Sequence, residues 1–270
     1  MSDYSLEIIR HSLAHILAAA VTELYPDVLP AIGPAIDNGF YYDFDFGKDK
    51  LSEDQLPLLN QKMSELIAAE LPFSQEIKPV TDALAAEQAV GQTYKAEIIA
   101  DLQAQGEVEV SYYTVGQFTD LCRGPHVAST ADLRQAGFLV HRLAGAYWRG
   151  SEKNKMLTRV YVLAFNSQTE LEDHLKLLAE AEQRDHRKLG RELDLFHIDE
   201  QVGLGLPLWH PKGAILWKVI EDFWSNQHLR NGYSLVRSPH IGNKILWETS
   251  GHWGFYNASM YPPLEAGQTL

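Results

Sequence analysis

The sequence predicts an α+β fold in which helices pack against antiparallel strands, and two observations support this prediction. Apolar residues recur with a helical period in several stretches, whereas other stretches alternate apolar and polar residues as strands do. Turn signals such as Asn38-Gly39 connect strand-like stretches over short distances, which favours antiparallel pairing. With 270 residues, the chain is long enough for two domains.

The first predicted element is a helix over residues 5–24. At about 100° per residue, one narrow apolar stripe forms its core face. The stripe consists of Ile9, Leu13, Ile16, Ala20 and Leu24. His11 and His15 are four residues apart, so they stack on one side of the helix, roughly opposite the stripe. From this helix alone, a pair of exposed histidines is the favoured interpretation.

The following stretch, residues 29–34, contains two prolines and a glycine and is predicted to be irregular. After the Asn38-Gly39 turn, residues 40–46 alternate like a strand, which puts Tyr42 in an apolar row where its hydroxyl needs a partner. Capping-box spacing predicts a helix over residues 52–70. The next predicted elements are a strand at 73–79, helices at 82–90 and 94–104, and a strand at 108–115 that leads to the only cysteine.

The second half of the chain is predicted to begin with a hairpin of strands 138–148 and 156–165 around a basic turn. A long helix over 167–186 follows, and a domain boundary fits its end. Beyond the boundary, the sequence predicts a helix at 213–229 and a strand at 233–236. The predicted domains are therefore 1–166, a linker helix at 167–190, and 191–270.

The charge distribution is uneven. The net charge of −13 argues against a nucleic-acid partner, because phosphate binding depends on Lys and Arg. However, residues 1–110 hold 19 acidic and 6 basic residues, whereas residues 111–270 hold 17 of each. The second part contains two basic clusters that are candidates for contacting a polyanion. The first cluster consists of Arg142, Arg149, Lys153, Lys155 and Arg159. The second consists of Arg184, Arg187, Lys188 and Arg191.

The sequence also limits the cellular setting. No apolar run approaches the roughly 20 residues needed to cross a bilayer. The first residues have neither the basic region nor the apolar region of a secretory signal. We therefore expect no membrane association and a cytoplasmic location.

Cys122 is the only cysteine of the chain and lies in the segment 119–126. Since it cannot form an internal disulfide, its thiol is an inert packed group, a metal ligand or a reactive group. With His126 it has Cys-x-x-x-His spacing, and the first helix supplies His11 and His15. These four side chains can bind tetrahedral zinc, or their imidazoles can activate water without a metal. A nucleophilic cysteine with a histidine base is the third alternative, and spacing leaves all three open.

Five short motifs, in order and at consistent spacing, together resemble bacterial threonyl-tRNA synthetases. The motifs are His11-Ser12-Leu13-Ala14-His15, Ala31-Ile32-Gly33-Pro34 with Asp37-Asn38-Gly39-Phe40-Tyr41-Tyr42-Asp43, Asp120-Leu121-Cys122-Arg123-Gly124-Pro125-His126, Ala144-Gly145-Ala146-Tyr147-Trp148-Arg149-Gly150, and Arg184-Asp185-His186-Arg187-Lys188. The resemblance extends from about residue 8 to the end of the chain. It implies a two-layer editing domain that hydrolyses mischarged seryl-tRNA(Thr), then a linker helix and the start of a class II antiparallel-sheet domain.

The resemblance also implies the residues of the editing site. The implied catalytic residues are His11, His15, Lys95, Asp120, Cys122 and His126, and the implied substrate-binding residues are Tyr42 and Arg149. Lys95 depends on a shorter match and is a solvated helix lysine unless its helix faces the site. We hypothesise that His11 acts as a base or positions water, that Lys95 holds the terminal ribose and water, and that Asp120 binds the serine ammonium.

The resemblance further implies cofactors and partners. Editing domains of the alanyl type hold zinc at comparable positions, whereas the threonyl type works without it, so we expect no metal in the site. If a metal binds, its ligands are His11, His15, Cys122 and His126. ATP, Mg and Zn are expected only in the catalytic part that this sequence lacks. The expected partners are tRNA(Thr), serine and threonine, and residues 231–239 resemble the class II motif that forms homodimers.

Three interpretations of the whole chain stay open. The first is an amino-terminal fragment of a threonine-tRNA ligase with editing activity, which alone does not aminoacylate because it lacks the later class II motifs. The second is a free-standing trans-editing hydrolase, and the third is a non-catalytic tRNA-binding or dimerisation module. In the fragment interpretation, the apolar helix at 213–229 is expected to leave apolar surface exposed and to favour association.

Overall fold

A computed structural model of the protein describes residues 4–264 and divides the chain into two compact units, Met1–Glu182 and Gln183–Leu270. The boundary between the units lies inside the predicted linker of residues 167–190. The outermost parts of the two predicted domains, residues 1–3 and 265–270, lie outside the described residues. Among the helices described, none combines the length and apolar character that crossing a membrane requires.

The first unit contains two antiparallel sheets with helices, which confirms the predicted α+β class. The larger sheet has the strand order β1-β3-β8-β7, and β2 pairs with β3 at one end. The smaller sheet has the order β4-β5-β6. The strands are β1 Leu29–Pro30, β2 Ala35–Ile36, β3 Gly39–Asp45, β4 Phe73–Pro79, β5 Glu109–Val115, β6 Phe118–Leu121, β7 Gly137–Tyr147 and β8 Met156–Phe165.

The helices of this unit agree with the predicted ones to within a few residues. They are α1 Leu6–Leu24, α2 Leu56–Ala68, α3 Val80–Ala89, α4 Thr93–Ala104 and α5 Gln168–Gln183. Ser5 caps the start of α1 by accepting a hydrogen bond from the amide of Ile8. Before α2, the Gln55 side chain accepts from the backbone amide of Ser52 at 3.0 Å, which is one half of the predicted capping box.

Helix α1 lies at the centre of the first unit. It packs against α2 and β3 and also reaches β5 and β6 of the smaller sheet. Its residues from Ser12 to Val21 are all buried, and Ala18, Ala19 and Ala20 lack the bulk that would hold neighbouring elements away. The interpretation of two exposed histidines is therefore wrong. The apolar stripe alone underestimates how much of α1 is buried, because neighbouring helices and strands cover its other face as well.

Three further expectations need correction. Residues 29–34 are not wholly irregular, because β1 pairs with β3 there. The strand that enters the cysteine loop is β6, which turns back from β5 at Gly116. The predicted helix of residues 167–186 is interrupted: α5 ends at Gln183, and the Asp185 side chain caps a new helix by accepting from the Arg187 amide.

The second unit contains helices and one small sheet. The elements are α6 His186–Glu192, β9 Phe196–Ile198, β10 Pro207–Trp209, α7 Pro211–Arg230, α8 Ile245–Thr249 and α9 His252–Tyr256, and β9 pairs with β10. The predicted strand at 233–236 is irregular in the structure. As expected, apolar side chains along α7 are exposed, including Trp217, Phe223 and Trp224 at 57%, 65% and 64%. The larger sheet of a class II domain stays a prediction.

Candidate functional site

A cavity of about 500 Å³ opens in the first unit and brings most of the predicted site residues together. One part of its wall carries His11, His15 and Cys122, and another part carries the polar group Tyr42, Lys95 and Asp120. The remaining lining is largely apolar and includes Ala31, Ile32, Ile98, Leu102, Val110 and Leu121. Polar groups that converge inside an apolar cavity are typical of a small-molecule or active site.

The histidine–cysteine wall is a connected cluster. Cys122 Sγ lies 3.0 Å from His11 Nε2 and 3.3 Å from His126 Nε2, and it accepts from the Gly124 amide at 3.2 Å. His126 lies behind Cys122 rather than on the cavity surface, and its ring stacks on Phe73 with centroids 4.9 Å apart. The predicted convergence of the Cys-x-x-x-His segment with the first helix is therefore present in the structure.

The cysteine loop is held in place by local backbone contacts. The Cys122 amide donates to the Ser111 carbonyl at 3.0 Å, and the Ser111 hydroxyl donates back to the Cys122 carbonyl at 2.5 Å. Gly124 has a positive φ of 66°, and a Cβ at this residue would overlap the Tyr113 side chain. Glycine is therefore required for both backbone conformation and space, and the turn directs Cys122 and His126 to the same side.

The other part of the wall centres on a buried ion pair. Lys95 Nζ lies 2.6 Å from Asp120 Oδ1 and donates to the Tyr42 hydroxyl at 3.2 Å, while that hydroxyl donates to Asp120 Oδ2. The alternative of a solvated lysine is wrong, because Lys95 is only 4% exposed. Tyr42 likewise has the partner that its position in an apolar row required. Gly33 is necessary beside it, since a Cβ there would overlap the Tyr42 ring.

Burial keeps the groups of the histidine wall neutral. Desolvation lowers the pKa of His11 and lowers that of His15 well below its ordinary value. Desolvation and the neighbouring histidines lower the pKa of His126 to about 2. Desolvation also raises the pKa of the Cys122 thiol to about 11. The imidazoles are therefore unprotonated near pH 7, whereas the thiolate that a cysteine nucleophile needs is disfavoured.

The same four side chains could hold a metal ion. One ligand atom from each of His11, His15, Cys122 and His126 lies within 4.8 Å of all the others. Three imidazole nitrogens and one sulfur suit tetrahedral zinc. His15 Nδ1 is buried without a hydrogen-bond partner among the described residues, whereas the sulfur and the other two rings already contact one another.

Arg149 is the predicted site residue that the structure brings neither to the cavity nor to the histidine–cysteine cluster. It has a positive φ of 53° and forms ion pairs with Asp101 at 2.7 Å and Glu97 at 3.6 Å on the outer side of α4. The neighbouring Trp148 donates its Nε1–H to Glu97 at 2.8 Å. These contacts join the connection between β7 and β8 to the helix that carries Lys95.

Ser12 and Ile98 are among the residues of the site that sequence reasoning did not assign to it. Ser12 is fully buried and contacts His126, and its position between the two histidines of the first motif was the available signal. Ile98 belongs to the apolar mouth of the cavity, together with Leu102. Their spacing of four along α4 marks one helix face, but nothing in the sequence indicates that this face lines a cavity.

Comparisons with known proteins show which family the chain resembles. Residues 110–161, which include the cysteine loop and most of β7 and β8, match the family model described as the threonyl and alanyl tRNA synthetase second additional domain. The chain is 49% identical over 265 residues to a threonine–tRNA ligase of Nitrosococcus oceani. It is 47% identical over 267 residues to that of Magnetococcus marinus and 48% identical over 256 residues to that of Borrelia hermsii.

This chain is therefore similar to part of the threonine–tRNA ligases. The three alignments cover 98%, 99% and 95% of the chain. They cover 40%, 40% and 43% of the ligases themselves, so the chain spans about two fifths of the length of the curated relatives it matches.

Proposed function

We propose that the first unit is the editing domain of a threonine–tRNA ligase and hydrolyses seryl-tRNA(Thr) to free serine and tRNA. The observation that carries this proposal is the cavity itself, which is lined by both the neutral imidazole of His11 and the buried ammonium of Lys95. A base and a cation in one cavity suit ester hydrolysis by water. The alignments with threonine–tRNA ligases support the choice of tRNA as the carrier.

The chemistry of serine explains the need for such a site. Serine lacks one methyl group of threonine, and one methyl in a binding pocket provides only about 1–3 kcal/mol of discrimination. This falls short of the roughly 10⁴-fold selectivity that translation demands. A second site that removes the smaller product supplies the missing selectivity.

The proposed reaction uses water as the nucleophile. His11 accepts a proton from water while the water oxygen attacks the ester carbonyl carbon, and the ammonium of Lys95 stabilises the negative charge that develops on the carbonyl oxygen. The bond between that carbon and the ribose oxygen then breaks, and the ribose oxygen receives the proton from His11. The products are serine and a tRNA with a free terminal ribose hydroxyl.

Two residues of the polar wall bind the amino acid in this proposal. Asp120 accepts from the serine ammonium, because each carboxylate oxygen has a second lone pair beyond those that bind Lys95 and Tyr42. Tyr42 holds the carboxylate in place. His15 and Cys122 shape the other wall and orient the water, and His126 holds Cys122 from behind.

The proposal extends to the longer protein that the relatives represent. The longer protein joins threonine to tRNA(Thr) with ATP. The ATP, Mg and Zn that this ligation uses are held outside this chain. Editing requires none of them. We further propose that the longer protein is a homodimer in the cytoplasm, where it meets serine, threonine and tRNA.

The test is a deacylation assay with seryl-tRNA(Thr) and threonyl-tRNA(Thr) on the full 270-residue chain. We expect rapid release of serine, slow release of threonine and a large loss in His11→Ala. His141 is an exposed histidine on β7, so His141→Ala is a matched control that should keep full activity. Absence of serine release from the folded chain would identify a non-catalytic tRNA-binding module instead.

A further inference from the structure

Ser12 has no role in the hydrolysis proposed above, yet it lies inside the histidine–cysteine cluster. It is fully buried on α1, between His11 and His15. Its hydroxyl oxygen accepts from the backbone amide of Val127 at 3.1 Å and lies 3.2 Å from His126 Nδ1. A buried hydroxyl has one proton, which needs an acceptor.

The partners of this hydroxyl determine where its proton points. The Val127 amide can only donate, so it occupies a lone pair of Ser12 Oγ. In the described part of the chain, His126 Nδ1 is the one contact of this oxygen that can accept. The Ser12 proton therefore points at Nδ1, and the neutral His126 ring carries its own proton on Nε2.

The direction of this hydrogen bond determines the next ones. His126 Nε2 faces Cys122 Sγ at 3.3 Å, so its proton points at the sulfur. The Gly124 amide also donates to that sulfur at 3.2 Å. With two donors at the sulfur, the thiol proton is directed to the remaining neighbour, His11 Nε2, at 3.0 Å. The chain of hydrogen bonds ends at a nitrogen of His11 that is kept unprotonated.

We propose that Ser12 is a positioning residue that fixes the Nε2-protonated tautomer of His126 and thereby directs the Cys122 thiol proton to His11. The inference rests on the proposed function, because the thiol keeps His11 Nε2 unprotonated until the water replaces the thiol as hydrogen-bond donor and gives its proton to that nitrogen. Packing cannot replace the hydroxyl. Phe73 stacks on the His126 ring and Tyr113 meets it edge-on, which fixes the ring plane but not the nitrogen that carries the proton.

The direct test is nitrogen NMR of the full chain with ¹⁵N-labelled histidine, in which long-range couplings report the tautomer of each ring. The His126 signals are identified by their loss in His126→Gln. We expect a protonated Nε2 in the wild type, loss of this single tautomer in Ser12→Ala, and its return in Ser12→Thr, which restores a hydroxyl. A wild-type ring protonated on Nδ1, or a Ser12→Ala spectrum equal to the wild type, would overturn the proposal.

Kinetics provide a second readout. We expect kcat for seryl-tRNA to fall about 10- to 100-fold in Ser12→Ala with KM little changed, as is typical of a lost orienting group, and to recover in Ser12→Thr. Thr22→Ala is the matched control, since this hydroxyl on the same helix donates only to backbone carbonyls of Ala18 and Ala19. An unchanged kcat in Ser12→Ala would count against the proposal.

The two readouts separate the failure of this inference from that of the proposed function. If the wild-type chain releases no serine, the hydrolysis proposal fails, and the NMR tautomer alone supports or overturns the role of Ser12. If Ser12→Ala does not fold, the wild-type tautomer and the Ser12→Thr variant decide.

Discussion

Lys95 Nζ lies 2.6 Å from Asp120 Oδ1, and both side chains are 5% exposed. Removing one partner leaves the other charge buried and unpaired, which typically costs about 3–5 kcal/mol. We therefore expect Lys95→Met to lower the free energy of unfolding of the first unit by about that amount and to abolish deacylation. Urea unfolding and the seryl-tRNA assay measure the two effects.

The double variant Lys95→Met/Asp120→Leu separates stability from function. Replacing both charges with apolar groups should restore much of the unfolding free energy, because no charge is left unpaired. Deacylation should stay lost. Recovery of deacylation in the double variant would contradict the catalytic use of this pair.

The activity should depend on pH through His11. Desolvation lowers its pKa from the ordinary value of 6.5, so the unprotonated base persists to lower pH than in a free imidazole. The rate of serine release should therefore be constant near neutrality and fall only on acidification below pH 6.5. A profile of kcat/KM from pH 4.5 to 8 (about the range where a shifted histidine titrates) tests this. A midpoint above 6.5 would contradict His11 as the base.

The stability of the first unit should also depend on pH through His15. Its pKa in the folded state is well below 6.5 because the ring is fully desolvated, so the unfolded chain binds the proton more readily. The contribution of neutral His15 to the free energy of unfolding is complete above pH 6.5. Below pH 6.5 this contribution decreases by at most about 1.4 kcal/mol per pH unit. Urea unfolding at several pH values should show this slope, and His15→Gln should reduce it. An equal slope in the variant would count against a neutral His15.

We expect the editing site to work without a resident metal. The Cys122 sulfur and the rings of His11 and His126 already hydrogen-bond or contact one another without a metal between them. Metal analysis of the purified chain should find far less than one zinc per chain, and treatment with a chelator should leave serine release unchanged. Loss of activity with the chelator and its return with zinc would show that the site needs the metal.

Arg149 should affect the tRNA rather than the reacting ester. It lies outside the cavity, and its ion pairs with Asp101 and Glu97 are partly exposed. Arg149→Ala should therefore lower stability by less than about 1 kcal/mol. We expect it to raise KM for seryl-tRNA severalfold, while hydrolysis of a seryl ester of adenosine alone stays unchanged. An equal loss with both substrates would instead indicate that Arg149 acts through α4 on Lys95.

The order and type of the elements in the first unit could be predicted because each has a strong local pattern. The alternation in residues 40–46 and the turn before it locate β3 almost to the residue. Burial of the second face of α1 could not be predicted, because periodicity describes one helix and not what covers it. The prediction of a strand at 233–236 was wrong for a related reason. An extended segment becomes a strand only when another strand pairs with it, and no described strand pairs with these residues.

The site was partly predictable in the same sense. From their spacing, His11, His15, Cys122 and His126 were predicted to belong to one site. In the structure, their possible ligand atoms lie within 4.8 Å of one another. Spacing could not choose among metal binding, water activation and a nucleophilic thiol, because that choice depends on desolvation and on hydrogen-bond partners. Lys95 shows the limit most clearly, since a single lysine on a helix is indistinguishable from a surface lysine until its neighbours are known.

The burial of α1 has a consequence for how the site meets its substrate. Histidines on a central helix belong to the part of the unit that opens only when the whole unit unfolds, so the amide hydrogens of α1 should be among the slowest to exchange with solvent. His11 and His15 therefore keep their positions whether or not a substrate is present. A cavity built on such an element selects by its fixed shape, and the flexible end of the substrate has to adapt to it.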